Sequence, residues 1–336
     1  MTKWNKAEVH ALVKSSKYSV IIIALLSVYL FWGGTYLGIK VAVETMPPFI
    51  MAGFRFFVAG CVLYAIAHAQ GHSRPSLTEW KNAGIVGALL LLGGNGAVAW
   101  AEQKVPSAIA SLLVATVPLW ILLFQSVGTN RLKPSKGIIA GMGLGFLGIA
   151  VLVLQPGGTG TRAMDTLGIL ALLLGSISWS AGSLFSRRAQ LPSSPLMSTA
   201  LQMIGGGILL AIASFFLDDW SSFHISAISL RSYLALAYLI VFGSIIAYTA
   251  YIWLLKNAEP TWVSTYAFVN PVVAVFLGWF AANEQLTPRA WVAAAIIIAA
   301  VVIITLFRSS KASAGKKQPH SNADNIGKST SLPGRE

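Results

Sequence analysis

Apolar residues fall into ten long runs, separated by short stretches rich in proline, glycine and charge. The runs cover roughly residues 18–40, 49–69, 82–101, 106–127, 136–155, 166–187, 196–217, 231–255, 261–282 and 289–307. Each is about 20 residues long, the length at which a helix crosses the hydrocarbon of a bilayer. Between them stand ETMPP (44–48), GHSRPS (71–76), TNRLKPS (129–135), QPGGTGTR (155–162), LPSSP (191–195), DDWSS (218–222), KNAEP (256–260) and NEQLTP (283–288). The pattern predicts an all-α polytopic membrane protein with ten transmembrane helices. A polar tail occupies 1–17, and a basic tail after residue 307 has too little apolar surface to bury and is expected to be disordered.

Composition agrees with the pattern. The chain has 336 residues, 55% hydrophobic and 10% charged, where soluble chains carry about 25% charged residues. The formal charge of +13 points to orientation rather than to nucleic acid. Lys40, Lys104, Arg162, Arg231 and Arg289 fall in one set of loops and Arg55 falls inside a span. All other lysines and arginines fall in the opposite loops and the tails. The positive-inside rule then puts both termini in the cytoplasm. The first run is too long for a signal peptide and no small-x-small cleavage site follows it, so it is read as retained. A single cysteine, Cys61, excludes an internal disulfide and a cysteine-based metal site, and its apolar surroundings predict a buried thiol. No histidine pair has metal-ligand spacing, so neither metal nor cofactor is expected.

The two halves of the chain resemble each other. VPSAIASLLVATVPLWILLFQSVGTNRLKPSK (105–136) aligns with EPTWVSTYAFVNPVVAVFLGWFAANEQLTPRA (259–290). Pro106 matches Pro260, Pro118 matches Pro271 with one residue of slippage, and Pro134 matches Pro288. FWGGTYLGIK (31–40) aligns with SWSAGSLFSR (178–187), bringing Trp32 onto Trp179 and Pro48 onto Pro195. Five spans per half is an odd number, so the second half must enter the membrane from the opposite side. The expected architecture is two inverted five-helix repeats, 18–155 and 166–307, the arrangement of secondary transporters with a midplane site between the repeats.

Matching proline interruptions mark such a site. Pro118 and Pro271 are therefore read as hinges lining a pathway, freeing the carbonyls of Val114 and Ala267; simple packing kinks are the alternative. Arg55, about 9 Å into the second span at 1.5 Å per residue, is read either as an anion anchor facing the interior or as a residue snorkelling to the headgroups. Asn95, Ala99 and Glu102 share a face of the third span. Asn95 is a candidate cavity amide or interhelical hydrogen-bonding group. Glu102 is read either as a partner of Arg55 or carrier of a coupling proton, or as a solvated helix-end charge beside Lys104.

Trp32 and Tyr36 share a face of the first span. Trp179 shares one with Ser176, Ser180 and Ser183, which suits an aromatic cavity wall for amphipathic solutes. Tyr266 and Asn270 are further substrate-binding candidates, with Tyr248 and Gln202, the counterpart of Arg55, behind them. Trp4, Trp80, Trp220 and Trp291 read as interfacial belt residues. GLGFLG (143–148) matches a dinucleotide fingerprint, but it lies in an apolar span. Gly137, Gly141, Gly145 and Gly148 instead form a small-residue packing stripe, and the glycines at 205–207 read the same way.

FWGGTYLGIKVAVETMPPFIMAGFRFFVAG (31–60), GGNGAVAWAEQKVPSAIASLLVATVPLW (93–120) and TYAFVNPVVAVFLGWFAANEQLT (265–287) resemble the drug/metabolite transporter superfamily, and within it the EamA-type exporters. The resemblance implies ten helices, cytoplasmic termini and efflux of small metabolites or drugs across a bacterial inner membrane. The expected partners are a small-molecule substrate and the bilayer, with no nucleic acid and with room for a homodimer. A channel or a facilitative uptake carrier is the alternative. A membrane-embedded enzyme would need a nucleophile beside a base or paired intramembrane acids, and no such pair stands in the spans. No GxxxxGK[ST] loop is present, which excludes an ATPase within this chain.

Overall fold

The computed structural model describes residues 6–127, 135–153, 165–221, 223–258, 263 and 265–315. Among these the chain is all-helical. Helix α1 spans Lys6–Ala42 and α2 spans Pro48–Ala69. Helix α3 begins as Leu77–Gly87, widens into a π-helical stretch at Ala88–Gly96 and closes as Ala97–Ala101. Helices α4 (Ser107–Val114) and α5 (Val117–Val127) form one broken span. Then come α6 (Lys136–Val153), α7 (Thr166–Ser186) and α8 (Pro195–Leu217). Helix α9 begins as Leu230–Tyr238, passes through a second π-helical stretch at Leu239–Ile246 and ends as Ala247–Asn257. Helices α10 (Tyr266–Ala282) and α11 (Pro288–Gly315) complete the order.

Among the described residues, seven stretches are long and apolar enough to cross a membrane. They are Tyr18–Ala42, Pro48–Ala69, Leu77–Ala101, Ser107–Ser126, Thr166–Ser186, Pro195–Leu217 and Leu230–Tyr251. The other three expected spans coincide with shorter apolar helices, Lys136–Val151, Val269–Ala282 and Pro288–Ile304. Large apolar side chains such as Ile23, Phe54, Leu174, Phe216 and Phe280 cover the outside, as a lipid-facing surface requires.

Small residues set the closest helix pairs. Helix α2 packs along α8 and α6 along α11. A Cβ on Gly53 would stand 2.9 Å from the backbone nitrogen of Ala211, and one on Gly207 would stand 2.6 Å from that of Phe57. These two backbones touch, which only glycine permits. Gly137, Gly141 and Gly148 face Phe307, Ile304 and Ile297 of α11, while Gly145 receives Leu119. The stripe in 137–148 is a packing surface.

Three readings of the sequence are corrected. Cys61 is exposed on the outer face of α2; in a membrane span the apolar surface is the outside, so apolar neighbours do not imply burial. Helix α1 starts at Lys6 rather than near residue 18, and α11 continues to Gly315, eight residues into the expected tail. Extending an existing helix fixes one residue per added bond and avoids the nucleation cost, so polar flanks follow readily. Trp4, Pro134, Arg162, Pro260 and residues 316–336 lie outside the described residues.

One end of the bundle is tied by polar contacts between helix ends. The Asp218 carboxylate accepts from the backbone N–H of Phe49 (3.1 Å) and Ile50 (2.8 Å) at the start of α2. Glu284 accepts from the N–H of Ser107 (2.8 Å) and Ala108 (3.1 Å) and from the Ser107 hydroxyl (3.0 Å) at the start of α4. Helix N-termini leave donors without intrahelical partners and carry partial positive charge, so carboxylates cap them well. Thr45 donates to Ser232 (2.8 Å), and Arg231 pairs with Glu44 at 3.7 Å. At the same end Asp165 caps α7 through the Gly168 N–H and pairs with Lys104 at 3.4 Å, and these hold its carboxyl below the usual range.

Candidate functional site

A cavity with an empty volume of about 1010 Å³, counting its open mouth, lies between the helices. Concave, mostly apolar spaces with a few convergent polar groups are where small-molecule sites form. Trp32 and Tyr36 reach it from α1, Arg55 from α2, Asn95 from the π-helical part of α3, Trp179 from α7, and Tyr266 and Asn270 from α10. Pro118 and Pro271 line it as well. The residues singled out in the sequence as substrate-binding or hinge candidates thus share one cavity. Glu102, the coupling candidate, stands apart from the lining, and so does Gln202, which donates to Ser198 at 3.0 Å.

Arg55 is 5% exposed and points into the bundle, so the snorkelling reading is excluded. Its Nε donates to the Ser244 hydroxyl at 2.9 Å, and its guanidinium lies 4.6 Å from the Phe56 ring centre. No carboxylate pairs with it among the described residues. A buried cation without a counter-ion is costly in membrane protein interiors and marks a functional position. The Asn270 carbonyl oxygen is also buried and has no hydrogen-bond partner among the described residues. The cavity therefore presents one unpaired cation and one free acceptor.

An aromatic cluster closes one side of this space. The Trp32 ring centre lies 5.0 Å from Tyr251, 5.5 Å from Tyr266 and 5.9 Å from Tyr248, the last two edge-on. Its indole N–H donates to the Gly243 carbonyl at 3.0 Å, inside the second π-helical stretch. The hydroxyls of Tyr29 and Thr265 are hydrogen-bonded to each other. Tilted and edge-on rings attract through their quadrupoles and also give a rigid, partly polar wall.

The two expected hinges differ. The span through Pro118 is interrupted at residues 115–116, and Pro118 is the second residue of α5, where its missing N–H leaves no intrahelical bond unmade. Pro271 sits inside the continuous helix α10. At the break in the fourth span the Ser176 hydroxyl lies 3.2 Å from the Leu113 carbonyl and the Ser180 hydroxyl 3.1 Å from that of Val117. The shorter bond of each is to its own helix, Ser176 to the Leu172 carbonyl (2.9 Å) and Ser180 to the Ser176 carbonyl (2.7 Å). Ser183 donates to its own helix at Trp179. These hydroxyls therefore satisfy backbone at membrane depth. Asn95 likewise makes its one described bond, at 3.5 Å, within its own helix to Leu90.

One contribution escapes the apolar pattern. The π-helical stretches of α3 and α9 supply Leu91, Gly94 and Asn95, and Gly243 and Ser244, to the lining. π-Helical turns recur at functional sites. The only sequence signal for them is the glycines in GGNG (93–96) and at 243. Glu102, apart from the lining, is fully buried, and neither carboxylate oxygen has a hydrogen-bond partner among the described residues. The solvated helix-end reading of Glu102 is thereby excluded.

The EamA-like transporter family matches the chain twice, over residues 19–154 and 166–306. The chain belongs to the EamA-like transporter family. It is 42% identical over 285 residues to the uncharacterized inner membrane transporter YedA of Escherichia coli K12, covering 84% of this chain and 90% of that one. The uncharacterized transporter YoaV of Bacillus subtilis is 23% identical, covering 85% and 96%. A WAT1-related chloroplastic protein of Arabidopsis thaliana is 26% identical, covering 83% and 68%. One protein of known crystal structure superposes with a TM-score of 0.59 at 22% identity, covering 87% of this chain and 99% of its own, a likeness of fold. The family, YedA and YoaV are transporters by name, and YedA is named as one of the inner membrane.

Proposed function

We propose that this protein is a secondary transporter that exports small amphipathic carboxylates, including amino-acid-like metabolites and drugs, across the inner membrane by alternating access. The observation that carries the reading is the cavity with an unpaired buried guanidinium at Arg55 and a free acceptor at Asn270. A carboxylate satisfies the first in a charge-assisted bond and a donor such as an ammonium satisfies the second. The rings of Trp32, Tyr36, Trp179 and Tyr266 suit the apolar body of such a solute.

Ten spans in two inverted repeats fit the same reading. Each half matches the family once. The π-helical stretches fall at equivalent places in α3 and α9. Helix α1 packs on α9 and α10, as α7 packs on α3 and on the α4–α5 span. Cytoplasmic termini follow from the lysine and arginine asymmetry, and they make the polar-tied end the external one. The break at 115–116 and Pro271 would let parts of the fourth and ninth spans rock around the cavity.

The test is efflux of a mixed pool of amino acids and small drugs from cells expressing the protein. Wild type is compared with Arg55→Ala, Arg55→Lys and Trp32→Ala at matched surface expression. Selective efflux of carboxylates should fall at least tenfold in Arg55→Ala and recover only in part in Arg55→Lys, which keeps the charge but loses the planar fork. Unchanged efflux in all three would refute the cavity assignment.

A further inference from the structure

We propose that Glu102 is a proton-binding site that links closure of the external end to the uptake of one proton. The inference rests on the alternating-access reading above. Its basis is geometric. Glu102 follows the last helical residue of α3, Ala101, and is 0% exposed, packed within protein rather than facing lipid. Neither carboxylate oxygen meets a donor among the described residues.

The charged groups that face it make no hydrogen bond to its carboxylate. Lys40 of α1 donates to the backbone carbonyl of Glu102 at 2.5 Å and to that of Val105 at 3.5 Å. Arg55 of α2 spends its Nε on Ser244. Glu284, in the turn after α10, spends both oxygens on the start of α4. Lys104, two residues on, pairs with Asp165 at the start of α7. Tyr36 of α1 is the remaining titratable neighbour.

A buried carboxylate ion with no hydrogen bond costs several kcal/mol more than the neutral acid, even beside a cation that donates elsewhere. The closed conformation therefore holds the acid form. Opening the 102–105 turn to water releases the two carbonyls that hold Lys40. The ammonium then becomes an ion partner for Glu102, and the proton leaves. Closure reverses both steps, so acid outside favours the closed end. One proton per closure changes the open-to-closed ratio up to tenfold per pH unit across the transition.

The experiment uses the full chain in intact cells with Cys61→Ala as background. Val114→Cys lies in the cavity lining and Ser221→Cys is an exposed reference. A membrane-impermeant thiol reagent is applied from outside between pH 6 and 8. The ratio of the two labelling rates removes the reagent's own dependence on thiolate. The ratio should rise with pH in the presence of Glu102, stay low and flat in Glu102→Gln, and keep its slope in Glu102→Asp, which guards against misfolding. Lys40→Gln should move the rise to higher pH. A flat ratio with Glu102 present, or an unaltered slope in Glu102→Gln, overturns the inference. If Val114→Cys is reached only from the cytoplasmic side, in inverted vesicles and at every pH, alternating access itself is refuted, a result distinct from a flat ratio.

Discussion

Removing the Glu284 carboxylate should loosen the polar-tied end more than removing any exposed charge there. Glu284→Ala deletes three hydrogen bonds, at 2.8, 3.0 and 3.1 Å, and leaves the N–H groups of Ser107 and Ala108 without their acceptors. Ser107 is 0% and Ala108 1% exposed, so water does not simply replace the lost oxygens. A hydrogen bond to a charged group is worth about 1.5–3 kcal/mol, and truncation that orphans buried donors costs more than the mean bond. Bonds sharing one carboxylate do not add, so the expected loss is about 2–4 kcal/mol. Glu284→Gln keeps one carbonyl oxygen and should lose about half as much. The comparison is Glu44→Ala, which breaks the exposed 3.7 Å pair with Arg231 and should cost under ~0.5 kcal/mol. The assay is the thermal unfolding of purified full-length protein in detergent, followed by tryptophan fluorescence at one scan rate. Unfolding is expected to be irreversible, so half-lives at a fixed temperature are compared as well. A Glu284→Ala protein that melts with Glu44→Ala, and no earlier than Glu284→Gln, would refute the capping account.

Two further outcomes follow from the packing and the charges. Gly53→Leu should lower the melting temperature sharply, because even its Cβ meets the Ala211 nitrogen at 2.9 Å and the Gly207 oxygen at 3.0 Å; overpacking of this kind costs about 1–3 kcal/mol or more, and a wild-type melting temperature would show that the two backbones do not touch. The Asp165 carboxyl is depressed by the Gly168 N–H and then by Lys104. Its stabilising contribution is therefore full above the ordinary value of 3.8 and is lost as pH falls through the depressed one. Melting temperatures measured from pH 6 down to pH 3 should fall less steeply in Asp165→Asn than in wild type, and parallel curves would remove Asp165 from the acid response.

Much of the cavity was legible because its signals are expensive or repeated. Arginine in a span, and prolines at matching places in two halves, persist only for a reason, and both kinds of residue line the cavity. Glycine spacing likewise marked a packing face on α6, though not that α11 would cover it. Periodicity was silent about which way a residue turns. Cys61 and Glu102 both sit on apolar helices, yet one faces outward and the other is sealed between helix ends, a difference set by neighbours distant in sequence. The π-helical stretches were hidden for a related reason: a wider turn alters the angular step between residues without altering their polarity. Of the serines on the Trp179 face, Ser176 lines the cavity and Ser180 and Ser183 do not, because sequence shows that a group can donate, not where the neighbouring helix leaves open space.

The paired π-helical stretches also bear on history. Ala88–Gly96 begins eleven residues after the start of α3, and Leu239–Ile246 begins nine after that of α9. Both halves match the same family, as duplication of one ancestral half would leave them. One widened turn in that ancestor, copied when the gene doubled, accounts for both; otherwise the same irregularity must have arisen twice and been kept twice beside the same cavity. On this view the irregular turns are older than the two-lobed molecule. With the inverted repeats proposed above, a single ancestral half assembling with a copy of itself would already have brought Leu91, Gly94 and Asn95 and their counterparts to a shared space.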